Sequence, residues 1–332
     1  MADGAAGECI VVTGAAGFVG TRLVHRARSL HPGAQVIGCD LAPTTAKGSG
    51  IVFLDVTDTQ AVNAFFERHR PSAVAHLAAI AEIDTAATDP HLTWRVNMTG
   101  TLNIVEAILK FAPDCRLLFV SSAEVYGRSA FDGHPVTEAT PLAPTNTYAS
   151  SKAAADLMVQ EAAGRGLHGT VARPFNHTGP GQASRFAIPS FCRQIAEIEA
   201  GLAPPVIRVG MLDGQRDFLD VDDIVDAYLM ILAAPPPELD GHALNLCSGI
   251  SRRIGDVLGQ LLALATVEIG VEVVPERVRQ RHVPVTVGDA SRARALIGWT
   301  PTKPFDQTLA ETLDFWRRHV RSRARSHGPD DL

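Results

Sequence analysis

Short apolar runs alternate with longer amphipathic segments through the first half of this chain. The runs are four to six residues long and rich in β-branched side chains, which favours strands, and the segments between most of them have helical spacing. We therefore predict six strands, at residues 9–13, 35–39, 51–54, 73–77, 116–121 and 168–172. Runs that are apolar throughout are typical of strands buried on both faces, so the sequence predicts an α/β fold built on a doubly wound parallel sheet.

The character of the sequence changes after about Arg173. Proline and glycine become frequent, which indicates loops, whereas residues 217–246 again have the pattern of a strand, a helix and a strand. We predict that residues 1–175 form one domain to which 217–247 return, and that 176–216 and 248–320 form a smaller α/β domain. Residues 321–332 are charged and predict a flexible tail.

Composition and charge exclude several classes of function. The chain has 332 residues and a formal net charge of −6, so it has no overall positive field to attract nucleic acid or an anionic membrane. Its apolar stretches are shorter than the roughly 20 residues that span a bilayer. The five cysteines are widely spaced and lack a metal-binding pattern, so we expect buried thiols, no metal site and a cytoplasmic location.

A glycine-rich turn follows the first predicted strand. Gly14, Gly17 and Gly20 are spaced so that a strand can turn sharply into a helix whose first backbone amides receive a pyrophosphate. A tight turn without a ligand is the alternative. The dinucleotide hypothesis is favoured because the acidic residue Asp40 ends the next strand about 20 residues later.

Two acidic residues near this turn are candidate contacts of the dinucleotide. A carboxylate at Asp40 binds both ribose hydroxyls of NAD and repels the 2′-phosphate of NADP, so we expect NAD(H), with NADP(H) left possible by the nearby Lys47. Asp55, followed by Val56, ends the third strand and is a candidate adenine contact. Asp55 could equally cap a helix.

Tyr148 and Lys152 lie one turn apart on a predicted helix, where their side chains can cooperate. A nearby ammonium stabilises phenolate, which turns a tyrosine into a usable acid or base. Such a pair is also common on helices without any function. The strand at 116–121 favours the functional interpretation, because it delivers Ser122 to the sheet edge where open α/β sheets bind ligands.

Along the chain follow, in this order, the glycine turn, residues 76–79, Asn97, Ser122 and the pair Tyr148 and Lys152. This set of residues resembles the extended short-chain dehydrogenase/reductase family, and the resemblance covers nearly the whole chain. The resemblance implies a Rossmann cofactor domain. It also implies that Tyr148 is the acid/base, that Lys152 tunes it and binds the nicotinamide ribose, and that Ser122 polarises the reacting oxygen. Further implied cofactor contacts are Phe18, Val19, Leu77, Ala78, Ala79, Asn97 and Phe175. On the sequence alone, Asn97 could instead be a packing residue of a helix.

Three segments resemble those reductases of the family that act on GDP-linked 4-keto-6-deoxy-D-mannose. They are residues 173–182, 209–221 and 244–249. This implies a nucleotide-diphosphate sugar as substrate, with Asn176, Arg216 and Arg279 as contacts of the diphosphate. Guanidinium groups and an amide suit diphosphate oxygens. The alternative for Arg216 is a surface arginine paired with Asp213 or Asp217.

The residues after Ser122 bear on the reaction, and Ser122, Ala123 and Glu124 are candidate substrate contacts. Dehydratases of this family have an acid-like or hydroxyl residue followed by Glu here, whereas alanine cannot donate a proton. We predict a 4-ketoreductase that forms GDP-D-rhamnose or its C4 epimer. A 4-epimerase or a 4,6-dehydratase of the same family is the alternative enzyme, and a dinucleotide sensor without activity is the alternative outside enzymes.

The family resemblance also suggests a homodimer. Its members often pair two long helices, here 89–111 and 148–164, into a contact of four helices. An apolar stripe on either helix could instead face the sheet of its own chain.

Overall fold

The computed structural model describes residues 8–41, 50–235, 237–274 and 285–326. Its strands are β1 (Cys9–Thr13), β2 (Gln35–Asp40), β3 (Ile51–Phe53), β4 (Ala73–His76), β5 (Arg116–Val120), β6 (His168–Pro174), β7 (Asn176–Thr178), β8 (Val206–Val209), β9 (Gln215–Asp220), β10 (Ala243–Leu246), β11 (Ser251–Arg253), β12 (Gly270–Val273) and β13 (Val285–Thr286).

The α-helices are α1 (Phe18–Leu30), α2 (Thr59–His69), α3 (Ile83–Thr88), α4 (Pro90–Trp94), α5 (Thr101–Phe111), α6 (Thr147–Ala162), α7 (Ala187–Glu199), α8 (Val221–Ala233), α9 (Ile254–Ala263), α10 (Ser291–Ile297) and α11 (Phe305–Ser326). A π-helical segment, Arg95–Gly100, joins α4 to α5 without a break. Two 3-10 segments, Ala123–Ala130 and Ala163–Arg165, complete the helical elements described.

Seven parallel strands form the large sheet, in the order β10-β6-β5-β4-β1-β2-β3. This confirms the predicted doubly wound α/β fold. One apolar core lies between the sheet and helices α1 and α8, and a second lies on the other face under α2, α5 and α6. Burying each large apolar side chain in these cores contributes about 1.5–3 kcal/mol. The strand order reverses at β1, so the carboxyl ends of β1 and β4 flank the crevice where such sheets bind ligands.

A smaller sheet surrounds β9, which pairs in parallel with β7 and β13 and antiparallel with β11. The segment 217–220, which we predicted to return to the first domain, therefore lies in the smaller sheet. Its polar side chains find partners there, since Asp217 accepts hydrogen bonds from the loop after β10. The return begins at α8, and β10 pairs with β6 at the edge of the large sheet. The division into two domains stays a prediction.

Two helices differ from the sequence expectations. Pro189, which we took to interrupt the chain, is the third residue of α7, where a missing backbone N–H costs no helical hydrogen bond. Helix α11 continues to Ser326, so the segment predicted as a flexible tail begins inside a helix. Residues 327–332 of that segment lie outside the described residues.

The described residues include no helix that combines the length and the apolar character needed to cross a membrane. All five cysteines are buried with free thiols. The cytoplasmic location remains a prediction.

Candidate active site

The glycine turn after β1 has no room for a side chain at Gly14 or at Gly20. Gly14 has a φ of +70°, and a Cβ there would lie 2.8 Å from the backbone nitrogen of Ala78. A Cβ on Gly20 would overlap the carbonyl oxygen of Gly14. Helix α1 begins at Phe18, between these two glycines, and its N-cap is Gly17. This cap has no side chain to accept hydrogen bonds from the first-turn amides. These amides suit a pyrophosphate, so the residues present fit a dinucleotide.

Asp40 stands beside this turn at the end of β2. One carboxylate oxygen accepts a hydrogen bond from the Ala16 amide at 2.9 Å, and the other accepts one from the Leu41 amide at 2.8 Å. The carboxylate is thus fixed next to the glycine turn before any ligand binds. Phe18 and Val19, the first two residues of α1, are partly exposed.

The alternative role for Asp55 as a helix cap is wrong. Asp58 is the N-cap of α2, and its side chain accepts hydrogen bonds from two backbone amides of the first turn. Asp55 instead accepts hydrogen bonds from the amide and the hydroxyl of Thr57, both at 2.8 Å. Val56 is buried against Gly100. The adenine contact stays a prediction for Asp55 and Val56.

A chain of buried hydrogen bonds supports the loop after β4. His76 Nδ1 lies 2.7 Å from the hydroxyl of Thr13, and Nε2 lies 3.1 Å from the hydroxyl of Thr101. Thr13 also accepts from the amide of Ala78 at 3.3 Å, and Thr101 donates to the carbonyl of Asn97 at 2.7 Å. Burial, aided by the charge of the nearby Lys152, lowers the pKa of His76 to about 3 and keeps the ring neutral.

Asn97 holds the same loop from the π-helical segment. Its side chain accepts a hydrogen bond from the Ile80 amide at 2.8 Å, and it donates to the Ile80 carbonyl at 3.1 Å and to the Ser151 hydroxyl at 2.9 Å. Asn97 therefore connects the predicted cofactor loop, Leu77 to Ala79, with α6. The side chain shapes the site rather than merely filling a helix face.

Helix α6 delivers Tyr148 and Lys152 from its N-terminal end. Asn146 caps this helix, accepting a hydrogen bond from the Ala149 amide at 2.8 Å, so Tyr148 is the second helical residue. Burial raises the pKa of Tyr148 to about 12; a hydrogen bond with Ser122 lowers it, and the charge of Glu124 raises it further. The structure thus brings Ser122, Tyr148 and Glu124 together.

Lys152 is 3% exposed and points into the protein. Burial lowers its pKa to about 7, against the charge of Asp156, which raises it. The ammonium nitrogen lies 4.3 Å from the centroid of the Phe119 ring, a cation–π contact that helps to stabilise the charged form. The groups that shift the pKa of Tyr148 besides burial are Ser122 and Glu124, so the tuning of the phenol by Lys152 stays a prediction.

Glu124 also faces Arg216, which is half-buried in β9. Burial lowers the pKa of Arg216, and the charge of Glu124 raises it. The alternative pairing of Arg216 is wrong: Asp213 pairs with Arg253, and Asp217 accepts hydrogen bonds from the amides of Ser248 and Gly249. The structure therefore brings Arg216 of β9 close to the turn after Ser122.

The other predicted contacts differ in how much they are exposed to solvent. Ala123 is buried and Asn176 is exposed at the start of β7. Phe175 is 2% exposed, with its ring against Gly288. Its contact with the cofactor stays a prediction. Arg279 lies outside the described residues.

Sequence reasoning missed a buried ion pair between Asp156 of α6 and Arg173, whose Nε lies 2.8 Å from a carboxylate oxygen. The available signal was an acidic residue one turn after Lys152. Among the described residues, the structure has no group of three His, Cys, Asp or Glu side chains arranged to hold a metal ion.

Comparison with known proteins agrees with this geometry. The family model described as the NAD dependent epimerase/dehydratase family matches residues 10–247. The chain is 37% identical over 252 residues to GDP-6-deoxy-D-mannose reductase of Pseudomonas aeruginosa, covering 76% of this chain and 82% of the relative. It is 32% identical over 234 residues to dTDP-glucose 4,6-dehydratase of Mycobacterium tuberculosis, covering 67% of this chain and 68% of the relative.

A solved structure of similar shape is that of RMD from Pseudomonas aeruginosa complexed with NADPH. It has a TM-score of 0.81 and 32% identity, and the match covers 94% of this chain and 98% of that one. Reductases, dehydratases and epimerases are thus among the relatives. This chain belongs to the NAD dependent epimerase/dehydratase family, the extended short-chain dehydrogenases/reductases, and is an enzyme that binds a nicotinamide cofactor.

Proposed function

We propose that this enzyme reduces the C4 carbonyl of a nucleotide-diphosphate 4-keto-6-deoxy sugar, with GDP-4-keto-6-deoxy-D-mannose as substrate and GDP-D-rhamnose as product. The observation that carries the proposal is the hydrogen bond between Ser122 and Tyr148 after β5, with Lys152 one helical turn after Tyr148 and Ala123 in place of a proton donor. The similarity to a GDP-6-deoxy-D-mannose reductase supports the same substrate.

In this reaction each catalytic residue has a separate task. The bound nicotinamide supplies the hydride for C4. Ser122 donates a hydrogen bond to the C4 oxygen, which polarises the carbonyl. Tyr148 gives its proton to the same oxygen, and the N-terminal end of α6 stabilises the phenolate that remains. Lys152, as an ammonium one turn away, further favours that phenolate and binds the nicotinamide ribose.

Binding of the diphosphate is assigned to Asn176 and Arg216, together with Arg279. The half-buried position of Arg216 in β9 supports this, because a guanidinium withdrawn from water binds phosphate oxygens more strongly than an exposed one. Glu124 faces the same arginine, and its charge raises the pKa of Arg216 against the effect of burial. We infer that Ser122, Ala123 and Glu124 contact the sugar.

A 4-epimerase uses the same three residues and is the alternative. A 4,6-dehydratase is disfavoured because Ala123 is buried and has no group to expel the 6-hydroxyl as water.

The position of Asp40 beside the glycine turn favours NADH as the reductant. We also propose a homodimer formed through α5 and α6, which carry the exposed apolar side chains Leu102 and Leu157.

Cofactor consumption separates these activities. Purified enzyme is incubated with GDP-4-keto-6-deoxy-D-mannose and excess NADH, and the nicotinamide absorbance is followed beside the sugar product. A reductase oxidises one NADH for each sugar reduced, whereas an epimerase converts sugar with no net oxidation. Tyr148→Phe should lower kcat by about 10²–10⁴-fold and leave NADH binding intact. Unchanged turnover in that variant, or no oxidation with GDP-, dTDP- or UDP-linked keto sugars, would contradict the proposal.

A further inference from the structure

A fully buried carboxylate, that of Asp156, lies on α6 one turn after Lys152. It accepts four hydrogen bonds: from the Ser121 hydroxyl at 2.8 Å, from Arg173 Nε at 2.8 Å, from Arg173 Nη2 at 2.9 Å and from Gln160 Nε2 at 2.6 Å. Only Gln160 belongs to the same helix. Asp156 therefore ties α6 to the end of β5 and to β6.

Each element tied to Asp156 either carries a residue of the proposed site or leads directly to one. Ser121 immediately precedes Ser122, and α6 carries the acid/base and Lys152. Arg173 is three residues before Asn176. The carboxylate is thus the common point of three elements whose relative position determines the geometry of the site.

Arg173 extends the connection to the turn that follows Ser122. Its Nη1 lies 3.1 Å from the hydroxyl of Tyr126, which donates a hydrogen bond to Asn245 Oδ1 at 2.6 Å. Tyr126 lies in the 3-10 segment after Ser122, and Asn245 lies in β10. Tyr126 therefore connects this 3-10 segment both to Arg173 of β6 and to Asn245 of β10.

Buried ion pairs are weak sources of stability, because the cost of removing both charges from water offsets their attraction. We propose that Asp156 is a positioning residue of the reaction: it fixes Ser122 relative to Lys152 through Ser121 and Arg173, and it supplies a negative charge beside Lys152. This inference rests on the proposed function.

The surroundings of Lys152 explain why that charge matters. The groups shown next to it are the neutral His76 of β4, the ring of Phe119 in β5 and Asp156 of its own helix. Asp156 is the charged group that raises the pKa of Lys152, against the effect of burial. Without it, the ammonium would lose its proton at a lower pH.

The variant Asp156→Asn keeps the size of the side chain and removes its charge. We expect kcat to fall by roughly 10- to 100-fold, since small displacements of reacting groups have effects of this size, with a much smaller change in KM for the sugar. The alkaline limbs of the kcat and NADH-affinity profiles should both move to lower pH. The control is Glu199→Gln, which breaks another ion pair, formed with Arg317 at 2.7 Å, and should change neither profile.

Two milder variants, Ser121→Ala and Tyr126→Phe, each remove one hydroxyl of the network without leaving a charge unpaired. They provide the test if Asp156→Asn does not fold, and a several-fold lower kcat with unchanged KM supports the inference. A lower melting temperature with unchanged kcat and pH profiles, in Asp156→Asn or in both milder variants, overturns it. NADH affinity needs no sugar, so a wild-type enzyme that fails to reduce the sugar contradicts the proposed function alone.

Discussion

At the scale of the residue, Asp40 is expected to select the dinucleotide. Asp40→Ser removes the charge that repels a 2′-phosphate, so the ratio of NADPH to NADH affinity should rise by at least about tenfold, or roughly 1.4 kcal/mol. Fluorescence titration with both cofactors measures it. Asp58→Ser is the matched control, because it removes a carboxylate but keeps a capping hydroxyl on α2. A wild-type enzyme that binds NADPH more tightly than NADH would contradict the assignment.

The pH dependence of cofactor binding follows from Lys152. Because burial lowers the pKa of Lys152 to about 7, the ammonium is present below that pH and is lost above it. NADH affinity should therefore decline as the pH rises through about 7, measured by fluorescence. In Lys152→Arg the charge persists, so any remaining affinity should be flat over the same range. A wild-type affinity that does not change with pH would refute the expectation.

The sequence predicts those site residues whose partners lie at a short or characteristic distance along the chain. Tyr148 and Lys152 are one helical turn apart, and Asp40 follows the glycine turn at a characteristic distance. Asp156 lies one turn after Lys152, but its role could not be found this way, because its partners outside α6 lie 35 residues earlier, at Ser121, and 17 residues later, at Arg173. Only the pairing of β5 with β6 brings those partners together.

At the scale of the element, the junction of β1 and α1 depends on the absence of a side chain at Gly20. Gly20→Ala would place a methyl group against the Gly14 carbonyl, so it should destabilise the fold by roughly 1–3 kcal/mol and weaken NADH binding. Chemical denaturation and NADH titration test this. Gly33→Ala is the control, because no atom lies within 4 Å of its added Cβ. Equal stability and NADH affinity in the two variants would contradict the steric argument.

The strands of the large sheet were predictable. Of the four strands described in the small sheet, β9 was predicted as a strand but assigned to the first domain, and the other three were not predicted. Strands β1, β2, β4, β5 and β6 occupy inner positions of a parallel sheet, which require mostly apolar runs, whereas β3 lies at the edge. The structure has all six strands within two residues of the predicted ends. By contrast, β11 and β13 have three and two residues, with polar side chains among them. Such short strands are fixed by their pairing with β9 rather than by their own pattern.

At the scale of the whole molecule, the proposed dimer predicts that a charge on α6 disrupts assembly. Leu157 is 57% exposed, and two more apolar side chains, Leu102 of α5 and Trp94 of α4, are exposed on helices that contact α6. Leu157→Glu should give a monomer in light scattering after size-exclusion chromatography, because the interface would bury an unpaired carboxylate. Val267→Glu, at an exposed position elsewhere, should leave the mass unchanged. A monomeric wild-type protein would contradict the dimer.

The path of the chain has a consequence for attempts to build hybrid enzymes. The polypeptide leaves the large sheet after β6 and comes back to supply β10, which pairs with β6 from Val171 to Pro174. A single crossover placed after residue 174 would separate β10 from the strand it covers and leave an open edge. Grafting the sugar-binding part of a relative onto this scaffold therefore requires two crossovers, one on each side of α8 and β10.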